Sequence, residues 1–400
     1  MLAADTHRAE KPDVLRGRDM LCFGHDWSGD PLSKTHLMRQ FAKENRVLWI
    51  NSIGYRKPQA SARDLRRALD KLRAFAEPVK EVERNLFVLN PLAIPAYGLP
   101  WMRAVNRQLL RWQILGAMRR LGFGRPINWV FTPTASVVAG SLNEDLLVYY
   151  CVDEFTAFSD AGTRSMVELE EQLLHKADLV VVSAKRLLDS KSARNPRTVL
   201  VRHGVDYDHF RKALLPETEI PGEIAKLPRP IIGYFGLMAA DWISVDLLEH
   251  VARSFPGGSL VLLGKVTTDL SRLTALPNVH LLGRKPFADL PAYSKGFDVA
   301  ILPFPISEVT LNANPLKVRE YLAAGLPVVS TKIPEVEVLG LARIAETHED
   351  FVRGIQAALE DPGPKAQRSD AMKKESWAGR VEEIRGHVAA LGRRRGEAAL

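Results

Sequence analysis

Short β-rich apolar runs alternate with longer helix-like stretches along the chain, and this alternation restricts the possible folds more than any other feature. It is typical of parallel sheets built from strand–helix–strand units. Several runs, such as DLVVVS (178–183) and DLLVYYC (145–151), show no alternation of polar and apolar residues. Strands of this kind are buried on both faces, as in a parallel sheet covered by helices. The pattern therefore predicts an α/β fold.

The length of 400 residues is too great for one ordinary hydrophobic core and predicts two Rossmann-like domains. We expect strands near residues 20–24, 47–51, 86–90, 128–132, 146–151, 178–183 and 199–201, and a second series near 231–235, 259–263, 279–282, 299–302, 328–330 and 342–344. Residues 206–230 contain several prolines and no sustained period, which is typical of an interdomain linker. The predicted domains are residues 1–212 and 213–375.

A final helix is predicted over residues 376–398. Its apolar residues recur at helical spacing: Trp377, Val381, Ile384, Val388 and Leu391. This spacing suits packing on either domain, including a return to the first.

Composition limits the class of protein. The chain is 46% apolar and 26% charged, as globular proteins are. No secretory leader and no apolar run long enough to span a bilayer is present in the sequence, which predicts a soluble, cytoplasmic protein. The two cysteines, Cys22 and Cys151, lie in apolar runs, so neither a disulfide framework nor a thiolate metal site is expected.

Motifs and net charge narrow the function. The sequence lacks HExxH, paired CxxC and Walker motifs, and we expect neither a bound metal ion nor P-loop chemistry. A net charge of +8 favours an anionic partner such as phosphate, nucleotide or anionic lipid. No recognition motif for nucleic acid accompanies this charge, so nucleic acid is not an expected partner.

Ligands of open parallel sheets bind beyond the carboxyl ends of the strands, where two loops of the first half stand out. Gly24, His25 and Asp26 begin a loop that leads into a helix capped by Ser33, and they form either an acceptor-side cleft loop or a structural turn. Asp153 and Glu154 follow a strand and are our candidate catalytic carboxylates. The alternative is that Asp153 only caps a turn.

Two loops of the second half point to a donor site. In PISEVTLNANPLKVREYLAAGLPVVS, we expect Pro315 at the first helical position, a cap at Asn312 or Asn314, and Leu316 facing inward. The free N–H groups of such a helix and the nearby Lys317 suit a phosphate, and Glu320 can accept both hydroxyls of a ribose. Arg284 and Lys285 suit an anion too, or form a solvated basic turn.

The segment NPLKVREYLAAGLPVVST resembles the C-terminal signature of retaining GT-B glycosyltransferases of family 4. Further segments resemble that family in its order: ELEEQLLHKADLVVVSA, HGVDYDHF (203–210), IIGYFG (231–236), LVLLGK (260–265), NVHLLGRKPFADLPAYSKGFDVAILPF (278–304) and ESWAGRVEEI (375–384). Together they cover about Asp19–Val388. The resemblance implies two Rossmann-like domains that face each other across a cleft, with a nucleoside diphosphate sugar bound by the second domain and the acceptor by the first.

Members of the family commonly carry two glutamates separated by seven residues, and the second holds the ribose. Glu320 matches that second position, whereas Asn312 stands in place of the first. The family's Arg and Lys pair after the first strand of the second domain is also missing from residues 237–243. The diphosphate charge must then be met elsewhere, and the candidate donor-binding residues are Gly236, Arg284, Lys285, Asn312, Asn314, Pro315, Leu316, Lys317 and Glu320. The loop that aligns with a family histidine carries Asp153.

These features predict transfer with retention of the anomeric configuration to a glycan or lipid-linked acceptor, in surface polysaccharide or glycolipid biosynthesis. Residues 100–120 combine tryptophans with arginines, and residues 60–73 add basic turns, which predicts peripheral contact with an anionic membrane. The alternative is an ordinary helix of the fold that buries its Trp and Leu side chains and leaves its arginines solvated. Two other functions stay open: a sugar-nucleotide epimerase and an inactive nucleotide-sugar-binding protein of the same fold.

Overall fold

The computed structural model describes residues 14–53, 79–94, 97–155, 157 and 164–397, with the backbone alone for residues 392–397. These residues form two sheets, one of eight strands in the first half of the chain and one of six strands in the second half. The α/β fold predicted from the alternation of strands and helices is confirmed.

The first sheet has the order β3-β4-β2-β1-β5-β6-β7-β8. Its strands are β1 (Asp19–Phe23), β2 (Arg46–Ile50), β3 (Lys80–Glu83), β4 (Leu86–Leu89), β5 (Ile127–Val130), β6 (Leu146–Cys151), β7 (Leu179–Val182) and β8 (Thr198–Leu200). All neighbours pair in parallel except β3, which is antiparallel to β4. The short, polar β3 (KEVE) has no apolar run and lies at an edge of the sheet, so no sequence pattern predicted it.

The second sheet is entirely parallel, with the order β11-β10-β9-β12-β13-β14. Its strands are β9 (Ile231–Phe235), β10 (Ser259–Leu263), β11 (Val279–Gly283), β12 (Val299–Leu302), β13 (Val328–Thr331) and β14 (Arg343–Ala345). The order reverses direction at β9 and β12, so the crevice of this sheet opens beyond the carboxyl ends of those two strands.

Helices connect the strands. In the described residues they are α1 (Ser33–Ala42), α2 (Pro100–Leu121), α3 (Arg164–Lys176), α4 (Lys185–Ser192), α5 (Tyr207–Phe210), α6 (Gly222–Ala225), α7 (Val245–Ser254), α8 (Ser271–Thr274), α9 (Leu290–Lys295), α10 (Glu308–Leu311), α11 (Leu316–Ala323), α12 (Pro334–Glu337), α13 (His348–Glu360), α14 (Lys365–Asp370) and α15 (Trp377–Glu397). None of these helices has the length and apolar character that crossing a bilayer requires.

The last helix, α15, packs against the first half of the chain. Trp377, Val381, Ile384 and Val388 are buried in one cluster with Leu37 and Phe41 of α1 and with side chains of the first sheet. Burying each large side chain of this kind stabilises the fold by about 1.5–3 kcal/mol. The sequence left the choice of domain open, and the structure shows that these residues belong to the core of the first sheet.

Residues 206–230 are more ordered than the predicted linker. Tyr207, Phe210 and Ile224 pack in the core of the second sheet, and short helices occupy part of the segment. Val205 pairs with Ser376 in a parallel bridge, so the chain passes between the two halves twice at adjacent places. The predicted boundary between residues 212 and 213 stays a prediction.

Candidate functional site

Glycines end three neighbouring strands of the second sheet. Gly236, Gly264 and Gly283 follow or close β9, β10 and β11, with φ angles of +141°, +144° and +70°. A Cβ atom on Gly264 would lie 1.8 Å from the carbonyl oxygen of Gly236. A side chain at any of the three positions would adopt a strained φ angle, and at Gly264 it would also collide with the backbone, so glycine at 264 allows the close approach of the loops after β9 and β10.

Lys317 of α11 crosses this edge above Gly236. A Cβ atom on Gly236 would lie 1.9 Å from Cε of Lys317, so the missing side chain makes room for the lysine. Its Nζ atom lies 5.9 Å from the ring centroid of Tyr234 and 5.7 Å from that of Phe304. These cation–π contacts stabilise the ammonium without neutralising it.

The ammonium of Lys317 has no ion-pair partner within the described part of the chain. Burial lowers the pKa of Lys317 below its usual value, and the charge of Glu320 opposes this effect. A half-buried cation without a carboxylate at contact distance is costly unless an anionic ligand joins it. Lys317 is therefore suited to a phosphate group.

The start of α11 differs in detail from our prediction. Pro315 is the N-cap residue and Leu316 the first helical residue, whereas we predicted Pro315 at the first helical position. Neither Asn312 nor Asn314 caps the helix, because no side chain of the described residues accepts a hydrogen bond there. The first-turn N–H groups lack intrahelical partners and form the positive end of the helix dipole, as a phosphate site requires.

Glu320 lies near Lys317 on α11 and is half-buried. Burial raises the pKa of its carboxyl group to about 7, Lys317 lowers it and Asp206 raises it further. No hydrogen bond from another described residue reaches this carboxylate. The structure therefore brings together Gly236, Lys317 and Glu320, and it leaves the Glu320 oxygens free to accept hydroxyl groups.

Asn314 has a different environment from the one we expected. Its Nδ2 atom donates to the carbonyl of Ser183 at 2.6 Å, and its Oδ1 atom accepts from Nη1 of Arg319 at 2.6 Å. Its carbonyl oxygen lies 2.8 Å from Nδ1 of His203. The Asn314 side chain thus joins the two halves of the chain, and these bonds occupy it. Leu316 packs against the core of the first half.

Asn312 is buried beside a glutamate that the sequence did not single out. Its Nδ2 atom donates to the carbonyl of Glu308 at 2.7 Å and lies 3.3 Å from Oε2 of the same residue. The Glu308 carboxylate also lies 3.2 Å from Nη2 of Arg186 in the first half. The Arg186 contact depends on the tertiary fold, so no local pattern could have revealed it, whereas the Asn312 contact joins residues four apart in the sequence.

Arg284 and Lys285 are both paired. Arg284 forms a salt bridge of 2.6 Å with Asp30, in the loop after β1 on the other side of the cleft. Lys285 pairs with Glu223 at 2.6 Å, within the second half. Both pairs lie near the surface, where such bridges contribute little, so an anionic ligand can compete for either cation.

The loop after β1 packs on Trp49. A Cβ atom on Gly24 would lie 2.1 Å from the Trp49 ring, and the indole N–H donates to the carbonyl of His25 at 2.8 Å. Burial lowers the pKa of His25 to about 4, so its imidazole is neutral at pH 7. Asp26 accepts a hydrogen bond from the backbone of Ser52 at 3.2 Å. The helix that follows begins at Ser33 with Leu32 as N-cap, so the predicted Ser33 cap is wrong.

Asp153 and Glu154 have different partners. Burial raises the pKa of Asp153 to about 6 against the effect of Lys34, and no described residue forms a hydrogen bond with its carboxylate. Glu154 instead lies 3.0 Å from Nζ of Lys191. Lys191 lies at the same distance from the buried Glu170, so Glu154 belongs to a buried ion cluster. Asp153 is therefore the better placed of the two to contact a substrate.

Part of the second half of the chain matches a known protein family. Residues 229–361, which include β9 to β14, match the family described as Glycosyl transferases group 1. The Bacillus subtilis protein TuaH, whose assigned name describes a teichuronic acid biosynthesis glycosyltransferase, is 23% identical over 274 residues, which cover 62% of this chain and 68% of TuaH.

Solved structures share the whole architecture. A sucrose-phosphate synthase from Thermosynechococcus elongatus superposes with a TM-score of 0.66 at 16% identity, over 96% of this chain and 100% of that chain. Anabaena HepE, in complex with UDP, has a TM-score of 0.62 at 13% identity, over 94% and 100% of the two chains. The chain is a glycosyltransferase with the GT-B fold. In this glycosyltransferase the matched domain carries Gly236, Arg284, Lys285, Lys317 and Glu320.

Proposed function

We propose that this glycosyltransferase moves a sugar from a nucleoside diphosphate sugar to a glycan or lipid-linked acceptor, with retention of the anomeric configuration. One observation carries the proposal. The Lys317 ammonium passes over Gly236 with no carboxylate at ion-pair distance in the described residues, and Glu320 lies beside it with free carboxylate oxygens. This arrangement fits a diphosphate followed by a ribose.

Each part of the donor then has a partner. Lys317 and the N–H groups at the start of α11 bind the diphosphate, and Glu320 accepts the ribose hydroxyls. Arg284 can exchange Asp30 for a phosphate oxygen. Support comes from HepE, whose structure is a complex with UDP, and from an E. coli trehalose-6-phosphate structure described as bound with UDP-2-fluoro glucose, which has a TM-score of 0.64 at 13% identity.

The reaction follows from these positions. The bond between the anomeric carbon and the phosphate oxygen breaks, and Lys317 and the backbone donors stabilise the charge that grows on the diphosphate. The acceptor hydroxyl attacks from the same face, and the departing phosphate oxygen takes its proton. Asp153 orients the acceptor. The reaction uses no cofactor and no metal ion, which activity measured with and without EDTA would check.

Donor binding tests the proposal. Calorimetry with UDP-, GDP- and ADP-sugars should identify one nucleotide that binds, and Lys317→Met should weaken that binding by about 10- to 100-fold, the loss expected for a charge-assisted contact. Lys332→Met is the matched control, because Lys332 is exposed and pairs with Glu346. Failure of the native chain to bind any of these nucleotides would disprove the donor site. NMR of the first product decides the stereochemistry, and an inverted anomeric centre contradicts retention.

The outer face of α2 supports contact with a membrane. Trp101 and Trp112 are 63% and 65% exposed and lie on one face of the helix with Val105. The helix contains no acidic residue, and no ion pair of Arg107, Arg111, Arg119 or Arg120 occurs among the described side chains. Exposed indoles beside unpaired cations suit an anionic lipid surface. The other basic segment, residues 60–73, lies outside the described residues.

The position of this surface supports delivery of a lipid-linked acceptor. Because α2 follows β4, its first turn lies at the carboxyl edge of the sheet, next to the cleft. We therefore place the enzyme in the cytoplasm at the inner face of the membrane, in surface polysaccharide or glycolipid assembly. Flotation with anionic vesicles should recover the native chain but not a Trp101→Ser, Trp112→Ser double variant. Equal recovery of both, or of neither, would exclude docking through α2.

A further inference from the structure

The loop between β12 and α11 holds one ionisable residue, and its position is unusual. Among residues 303–315, only Glu308 carries a charge. This loop leads into the helix that presents Lys317 and Glu320, and Phe304 within it contacts the Lys317 ammonium. A sugar attached to a diphosphate at the start of α11 would therefore extend along this loop.

Glu308 is held in place but remains open to solvent. Ser307 caps the short helix α10 that begins at Glu308, and the hydroxyl of Thr310 accepts from the backbone of Ser307. The buried Asn312 donates to the Glu308 carbonyl at 2.7 Å, with its Nδ2 atom 3.3 Å from Oε2. The Glu308 side chain is nevertheless 67% exposed. The backbone of Glu308 is thus held in place, and its carboxylate can still accept hydrogen bonds.

The amide of Asn312 is compatible with a carboxylate at position 308, whereas a second carboxylate at position 312 would not be. A carboxylate at 312 would repel Glu308, whereas the amide of Asn312 donates to it. The other polar side chain at the end of the loop, that of Asn314, is engaged by Ser183 and Arg319 and is closed to a ligand. Glu308 is therefore the remaining strong hydrogen-bond acceptor of this loop.

The contact with Arg186 is too weak to explain by itself why a glutamate occupies position 308. Its distances of 3.2 and 3.3 Å join two exposed side chains, and a pair of this kind contributes about 0–1 kcal/mol. It does place Glu308 at the cleft, because α4 follows β7 and Arg186 thus lies near the carboxyl edge of the first sheet. The carboxylate consequently faces the space between the two halves.

We propose that Glu308 binds hydroxyl groups of the donor sugar, and that Asn312 is its positioning residue. This assignment rests on the proposed function and adds the group that distinguishes the sugar from the nucleotide. A carboxylate accepts hydrogen bonds from two neighbouring hydroxyls, which is how proteins fix the orientation of a sugar. Glu308 then sets which sugar is transferred, and Lys317 and Glu320 hold the nucleotide.

Calorimetry on three single variants tests the assignment. The native chain, Glu308→Gln, Asn312→Ala and Arg186→Met are each titrated with the nucleoside diphosphate and with its sugar conjugate, chosen as the pair that the native chain binds among UDP, GDP and ADP. Glu308→Gln should weaken binding of the conjugate by about 10-fold or more and that of the free diphosphate by less than about twofold. Asn312→Ala should give a smaller loss for the conjugate, absent in the Glu308→Gln background. Arg186→Met should change neither.

The outcomes separate the two proposals. Equal losses for diphosphate and conjugate in Glu308→Gln, or no loss for either, would overturn the assignment of Glu308. Matching losses in Glu308→Gln and Arg186→Met would reduce Glu308 to an interdomain ion pair. A native chain that binds none of the three diphosphates would overturn the proposed function, and the assignment of Glu308 with it.

Discussion

Substitution of Gly236 by alanine should remove donor binding through Lys317. The added Cβ atom would lie 1.9 Å from Cε, 2.9 Å from Nζ and 3.2 Å from Cδ of the lysine, so the ammonium must leave its place above Tyr234 and Phe304. In addition, alanine at φ +141° carries backbone strain of about 1–3 kcal/mol. We expect a lower free energy of unfolding by that amount and a loss of donor affinity of about 10- to 100-fold.

A double-mutant cycle separates these two effects. Donor affinity is measured by calorimetry for the native chain, Gly236→Ala, Lys317→Met and the double variant, and stability by chemical denaturation. If Gly236 acts through Lys317, Gly236→Ala should lower donor affinity little in the Lys317→Met background. Gly257→Ala is the control, because a Cβ atom there meets nothing within 4 Å. Native donor affinity in Gly236→Ala, or losses that add fully, would refute the proposed path of Lys317.

Three further substitutions test the charged groups. Burial raises the pKa of Asp153 to about 6, so its contribution to the free energy of unfolding is present below the ordinary pKa of 3.8 and is lost as the pH rises through 6. Asp153→Asn should therefore raise the melting temperature at pH 8 and leave it unchanged at pH 3.5. A shift at both pH values would contradict this. Burial likewise raises the pKa of Glu320 to about 7, so nucleotide-sugar affinity should rise from pH 6 to pH 8 in the native chain and stay constant in Glu320→Gln. Lys191→Met leaves Glu154 and Glu170 buried without their cation and should cost about 3–5 kcal/mol in chemical denaturation, whereas Lys185→Met at an exposed pair should cost less than about 1 kcal/mol.

The sequence predicted the strands well because most are continuous buried apolar runs. Leu146–Cys151, Ile231–Phe235 and Ser259–Leu263 were predicted to the residue. Such strands are defined by their own burial, which composition reveals directly. Helix caps were predicted less well, because caps depend on where polar side chains find partners. Asn314 illustrates this, since contacts with Ser183 and Arg319 replace the predicted cap.

The donor site was partly predictable for a similar reason. Lys317 and Glu320 lie on one helix, so their proximity follows from local spacing. Asp206, which raises the pKa of Glu320, comes from a distant part of the chain, as do Arg186 beside Glu308 and Asp30 beside Arg284. Pairs of this kind join residues far apart in the sequence and form only in the folded chain, so a single sequence carries no signal for them.

The buried Arg319 connects α11, the helix that carries Lys317 and Glu320, to both places where the chain crosses between the two halves. Its Nη1 atom donates to Asn314 at 2.6 Å, and its Nε atom lies 3.4 Å from the carboxylate of Glu375. The backbone of Glu375 accepts from Val205 at 2.9 Å, which joins the second passage to the first. A fully buried guanidinium is costly unless its partners stay in place. The contacts that fix the two halves relative to each other therefore also set the position of α11, and with it Lys317 and Glu320. A change in the arrangement of the two halves must consequently change the geometry of the donor site.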